Sequence, residues 1–190
     1  RKGIRAGIAA LLGAMFIGSA SPAAAQHGAI VAPTLDTEIA KLVALLQRTP
    51  DYVALISAHN QAAATWSQAE LDARDARWRN DDAAIIDPVV NNALSSFLSS
   101  VVANDQRIAE IIVMGITGAN IAVSSKTSDY WQGDEAKYQK TFGAQTAEPF
   151  EDRVEFDESV QTFTQQVSQR LDIAGAPAGA ITVGFDIKHR

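Results

Sequence analysis

At Ile108 the hydrophobic pattern of the chain changes period, and that change limits the fold more than any other feature. Upstream, Leu35, Ile39, Leu42, Val43 and Leu46 recur at helical spacing. Downstream, Ile108 to Met114 is an almost continuous apolar run rich in β-branched residues, and near the end Ile181, Val183, Phe185 and Ile187 alternate with Thr182, Gly184 and Asp186. Helices first and antiparallel strands afterwards predict an α+β domain, with long N-terminal helices followed by a sheet.

Local signals place the boundaries. Thr49-Pro50-Asp51 reads as a fresh N-terminus, since Thr caps and Pro is tolerated in the first turn; either a second helix begins there or one long helix kinks. Ser67-Gln68-Ala69-Glu70 has capping-box spacing and opens a charged helix toward Trp78 and Arg79. Asp87-Pro88 is expected to open the next, with Val90, Leu94, Phe97, Leu98 and Val101 as its apolar stripe. Gly115-Ile116-Thr117-Gly118 supplies a hairpin turn, where Gly115 is expected to accept a positive φ, and Asn120 to Ser125 returns as the second strand. Asp134 is placed to cap a short helix through Ala136, Tyr138 and Phe142. Further strands are expected at Val154 to Phe156, Val160 to Leu171 and Ala180 to Ile187. Gly175 to Gly179 would turn between the last two, and the closing strand would bury one face.

Arg1, Lys2 and Arg5 precede an apolar run from Ile8 to Ile17, which leads through Ser19 to Pro22 into Ala23-Ala24-Ala25-Gln26. A basic segment, a short apolar segment and small residues at the junction describe a secretory signal peptide. Residues 1–25 are therefore expected to be removed after Ala25, leaving residues 26–190 as a single domain in the periplasm or the extracellular medium. The apolar run is too short to span a bilayer. The remaining 165 residues carry 13 basic and 22 acidic side chains, a formal charge of −9 that excludes phosphate backbones and anionic lipid as natural partners. With no cysteine, disulfides, thiol catalysis and zinc–thiolate sites are excluded as well.

The segment Thr127-Ser128-Asp129-Tyr130-Trp131-Gln132-Gly133-Asp134-Glu135 is the strongest functional signal. Two adjacent rings among carboxylates, an amide and a glycine suit the wall of a small-molecule pocket: Tyr130 and Trp131 would face a ligand while Asp129, Gln132 and Asp134 orient it. The alternative is that one ring packs on the sheet and the acids cap turns. Trp78 and Arg79 could meet a carboxylate, or Trp78 could face the core beside an Arg79 paired with Asp75 or Asp82. Asp157 and Ser159, ahead of the long strand, are placed to face an amine or hydroxyl or only to set a turn.

In its order of long helices, hairpin, aromatic loop with short helix and three closing strands, the chain resembles the extracytoplasmic Cache sensor domain of PDC type, a PAS-like fold. The most specific part runs from Ile111 to Glu135, including Ser124-Ser125 and the aromatic loop; Phe156-Asp157-Glu158-Ser159 and Gly179 to Asp186 agree with it. The resemblance implies a receptor for a small polar ligand, an amino acid or organic acid, held between the sheet and the segments that cover it, with no cofactor. Such domains usually lead into a membrane helix and an output module. The sequence closes at Arg190, so the expectation is a freestanding exported binding protein serving, in one version, a membrane receptor.

Two other classes stand beside this one. The apolar length of Leu35 to Ile56 fits an interaction module that forms a homodimer through its N-terminal helices. A hydrolase using paired carboxylates is the remoter alternative. No enzyme motif supports it: His27, His59 and His189 form no metalloprotease pattern, and no nucleophile elbow or phosphate-binding glycine loop occurs. The acidic groups at 129–135 and 152–158 lack the spaced ligands and central glycine of a calcium loop, so neither a metal site nor a catalytic residue is expected.

Overall fold

Thr49 separates two helices where the sequence allowed one kinked rod. The computed structural model describes residues 34–158 and 160–189; the expected leader, its cleavage site and Ser159 lie outside the described residues. Helix α1 (Leu35–Arg48) starts at Thr34, whose hydroxyl accepts from the Thr37 N–H, and α2 (Pro50–Ala63) places Pro50 in its first turn. Helix α3 (Gln68–Arg79) is capped by Ser67, which accepts from the Glu70 N–H at 3.3 Å.

The next helix begins earlier than Asp87-Pro88 suggested. Asp82 accepts from the Ala84 N–H at 3.0 Å and opens α4 (Ala83–Val90), which carries Pro88 in its interior. Asn92 then makes the break before α5 (Ala93–Asn104). Its Oδ1 accepts from the Ser95 N–H at 2.8 Å, while its Nδ2 donates to the carbonyls of Pro88 at 2.9 Å and Ile121 at 3.0 Å. One amide thus ends a helix, starts another and ties both to a strand.

The sheet contains β1 (Ile108–Met114), β2 (Asn120–Val123), β3 (Phe150–Asp157), β4 (Thr162–Ile173) and β5 (Ala176–Asp186), antiparallel in the order β2-β1-β5-β4-β3. The α+β expectation therefore holds, with the helices ahead of the sheet. The final hairpin turns more tightly than expected: Ala174 and Gly175 both have positive φ, 51° and 78°, as a two-residue turn between paired Ile173 and Ala176 requires. Pro177 consequently lies inside β5, beside a shift in register. In the first hairpin the positive φ belongs to Gly118. Gly115 is needed for close approach instead, since a Cβ there would fall 2.5 Å from Asn60 Oδ1.

Strand β5 is buried on both faces, where alternation in the sequence suggested one. The reason is a layer on each side of the sheet. Ile111, Val113, Val183 and Phe185 meet Ile39, Val43 and Leu46 of α1 together with Ile56, Leu94 and Leu98. On the other face Ile112, Met114 and Ala180 meet Leu71 and Trp78 of α3, Ile85 and Val89 of α4, and Tyr130 and Tyr138. The apolar length of α1 and α2 is thus mostly spent on the sheet, leaving Leu45 as an exposed large apolar residue of α1.

Candidate functional site

Residues 124–138 cross the second face of the sheet, and the sequence supplies every strap that holds them there. Asn120 donates from Nδ2 to Thr127 Oγ1 at 2.9 Å and to the Asp129 carbonyl at 3.0 Å; Gln132 Nε2 donates to the same carbonyl at 2.8 Å. Trp131 pairs with Ala119 as an isolated bridge and donates from its indole to the Thr117 carbonyl at 2.7 Å. From the helical side, Asp75 is buried and its Oδ1 accepts from the N–H groups of Tyr130 at 2.8 Å and Trp131 at 3.1 Å. Trp78, fully buried, donates to the Thr127 carbonyl at 2.7 Å. Polar backbone that would otherwise be orphaned over the sheet is satisfied on both sides. The loop is a fixed wall.

Beneath that wall the second face changes character along its length. Near the hairpin it presents Ile112, Met114 and Ala180 to the core, and farther along it carries Glu110, Thr164, Gln166 and Thr182. The polar end is not filled. It opens into a cavity of about 350 Å³ bounded by these strands, by Asp152, Arg153, Glu155, Phe156 and Asp157 of β3 with Glu158 just beyond it, and by Thr127, Ser128, Gln132, Glu135 and Lys137 from the covering segment. The short helix there, α6 (Ala136–Tyr138), runs into a π turn at Gln139–Gly143; Glu135 occupies its cap position in place of Asp134, and no side chain caps it.

Glu110 lies at the floor of this cavity with 3% of its surface exposed. Gly184, opposite it on β5, makes the room: a Cβ there would fall 2.7 Å from Glu110 Cγ. Gln166 donates to the Glu110 carboxyl at 2.7 Å, and Asp157 shares a hydrogen bond with it. Burial first, and the charge of Asp157 second, push Glu110 up to about 7 against the opposing pull of Lys137 and Gln166. Near neutrality the carboxyl therefore stands between its protonated and ionised forms. Six carboxyl side chains line the cavity against two cations, Lys137 and Arg153. Both cations are already engaged, Lys137 with Glu135 at 3.0 Å and Arg153 with Glu155. The cavity has an excess of negative charge in a partly closed, partly desolvated space, which selects for positive charge in whatever enters.

Of the residues singled out in the sequence, Gln132 and Asp157 line this cavity. Trp78 packs at a tilt against Tyr130, with ring centroids 5.8 Å apart. Arg79 pairs with Asp75 at 2.8 Å and Asp129 at 3.5 Å, the arrangement its helical neighbours offered. Tyr130 points to the helical side and borders a different cavity. Trp131 braces the hairpin, and Asp134 is exposed. Glu110, Gln166 and Lys137 escaped sequence reasoning. Glu110 interrupts an apolar run, and a carboxylate in a strand whose neighbours are all core residues was the available signal.

No family model matches the chain, and no curated protein matches it. Among solved structures it is similar to the sensor domain of the V. cholerae histidine kinase DctB, with 16% identity over 78% of this chain and 58% of that one and a TM-score of 0.41. It is also similar to the ligand-binding domain of the Campylobacter jejuni chemoreceptor Tlp3 in complex with 4-methylisoleucine, with 11% identity over 76% of this chain and 60% of that one and a TM-score of 0.41. The ligand-binding domain of the Pseudomonas fluorescens chemoreceptor CtaA in complex with L-serine gives 11% identity, 81% and 60% coverage and a TM-score of 0.40. The chain spans about three fifths of the length of each of these structures.

Proposed function

We propose that the chain is an exported sensor module of Cache type that binds a small amine-bearing metabolite, an α-amino acid or a close relative, in the cavity beneath residues 127–137. The observation that carries this reading is the buried Glu110 carboxyl, hydrogen-bonded to Gln166 and Asp157 at the floor of an acid-rich cavity of about 350 Å³. An ammonium group placed there takes over the neutralising role of the proton. Lys137, at the same wall, keeps ammonium donors beyond its pair with Glu135 for the carboxylate of a zwitterion, and Gln132 and Thr127 offer neutral hydrogen bonds. A plain organic acid brings further negative charge to this site and is disfavoured. Export is supported by the basic residues, short apolar run and Ala23-Ala24-Ala25 junction at the start of the sequence. A thermal-shift screen of L-amino acids, primary amines and organic acids tests the reading: members with an ammonium group should raise the melting temperature, and a response confined to organic acids would overturn it.

A second reading has one observation in its favour. Val154 and Phe156 on edge strand β3, and Phe163 beside them on β4, are 45%, 49% and 47% exposed, and the two Phe rings meet edge to face at 5.3 Å. An edge strand with exposed apolar side chains suits addition of a partner strand. Sedimentation of the wild type and of Phe156→Lys compares it directly; concentration-dependent mass abolished by the substitution, without any thermal response to ligands, would favour an interaction module.

A further inference from the structure

Helices α2, α3 and α4 border a second cavity, about 240 Å³ and partly open, against β2 and the back of the aromatic loop. Its walls are apolar: Leu55 and Ala58 from α2, Ile85, Pro88 and Val89 from α4, and Ile121 from β2. Three polar side chains interrupt them. Arg74 from α3 lies 3.9 Å over the ring of Trp66 and uses Nε and Nη2 on a single oxygen of Glu70, at 3.3 Å and 2.9 Å. Its Nη1 has no hydrogen bond among the described residues. Tyr130 is 3% exposed, feels the field of Arg74, and its hydroxyl likewise has no hydrogen bond among the described residues. His59 packs edge-on to Trp66 with ring centroids 5.4 Å apart, and burial, helped by Arg74, holds it down to about 4, so it is neutral at physiological pH.

No carboxylate lines this cavity, and at neutral pH Arg74 is the one charge among the residues that do. We propose that the cavity binds a small apolar monocarboxylate, with its carboxylate between the Arg74 guanidinium and the Tyr130 hydroxyl and its hydrocarbon against Leu55, Ile85, Val89 and Ile121. A guanidinium that keeps Nη1 free beside its pair with Glu70, on an apolar wall and stacked on an indole, has a donor to offer a second carboxylate. The phenol supplies the second donor and keeps its proton, since burial pushes Tyr130 up to about 12. At about 240 Å³ the cavity is smaller than the roughly 300 Å³ at which drug-sized sites begin, which favours a small occupant. Branched aliphatic and simple aromatic acids have that size. This site is separate from the acidic cavity, which rejects the same ligands.

Calorimetric titration of the full chain at neutral pH with isovalerate and benzoate, beside isoamyl alcohol and benzamide, tests the assignment. Both acids should bind saturably and about tenfold or more tightly than their neutral analogues. Arg74→Gln should weaken the acids by about tenfold or more, and Tyr130→Phe, which keeps the ring in the core, by about fivefold, with folding checked by circular dichroism. Glu110→Gln, in the other cavity, should leave acid binding unchanged. The assignment is overturned if neither acid binds at millimolar concentration, if the neutral analogues bind as well as the acids, if folded Arg74→Gln and Tyr130→Phe both bind them as the wild type does, or if Glu110→Gln removes the response.

Discussion

The two cavities share one wall and have opposite chemistry. Residues 127–135 present Thr127, Ser128, Gln132 and Glu135 to the acid-rich cavity and Tyr130 to the apolar cavity that holds Arg74. Each cavity contains titratable groups shifted by burial. Glu110 is pushed up to about 7 and His59 is held down to about 4, both mainly by burial, so each is driven toward its neutral form. What differs is the charge among the lining residues: mostly carboxylates in the first cavity, and in the second the Arg74 guanidinium, paired with Glu70 outside the lining. The contrast teaches that one loop, pinned by Asp75, can separate two cavities of opposite polarity, adding the Glu135 carboxyl to the acidic one and an uncharged Tyr130 to the other.

The strongest way to break the contrast is to release the shared wall. Asp75→Ala leaves the Tyr130 and Trp131 N–H groups without their acceptor and should cost about 4 kcal/mol in chemical denaturation, with ligand responses lost at both cavities. Loss at one cavity alone would show that the wall is not common to both.

Glu110→Gln sharpens the comparison from the acidic side. A carboxyl whose folded value lies above its usual 4.5 binds more protons folded than unfolded. Its contribution is fully present below about 4.5 and is lost as pH rises through about 7. The substitution should therefore stabilise the ligand-free protein by up to about 3 kcal/mol at pH 8 and do little at pH 4, by urea denaturation at the two pH values. His59→Gln should show the opposite dependence. A histidine whose folded value is depressed contributes stability above about 6.5 that is lost as pH falls through about 4; removing it should flatten acid destabilisation by about 2 kcal/mol. The smallest effect is expected at the rim, where Arg153→Ala breaks an exposed pair with Glu155 and should change stability by less than about 0.5 kcal/mol.

Much of the fold was legible because its signals are local. The Thr49-Pro50 boundary, the Ser67 cap and the β1 run each depend on neighbouring residues, and each stands where the sequence put it. The helix break at Asn92 was hidden because its amide is satisfied partly by Ile121, distant in the chain. The second buried face of β5 was hidden for a similar reason, since Thr182 is covered only when the segment of α6 and the π turn after it folds back over the sheet, and Ser168 stands opposite at 2.8 Å. The polar and aromatic composition of residues 127–135 does mark them as a loop. Yet its composition does not say which side chain turns to which side, and Tyr130 and Gln132 part company there because Asp75, from α3, holds the intervening backbone. Glu110 needs Gly184 and Gln166 to become a site, and both come from strands more than fifty residues later.

The most direct test is the pH dependence of binding at the acidic cavity. The tightest amine-bearing ligand from the thermal-shift panel should be titrated by calorimetry at pH 6 and pH 8 into the wild type and into Glu110→Gln. If its ammonium group displaces the Glu110 proton, wild-type affinity should rise about tenfold from pH 6 to pH 8, whereas Glu110→Gln should bind at least about tenfold more weakly at pH 8 and lose the pH dependence. Affinity that is unchanged between the two pH values in the wild type, or equal in the two proteins at pH 8, would contradict the placement of the ligand on Glu110.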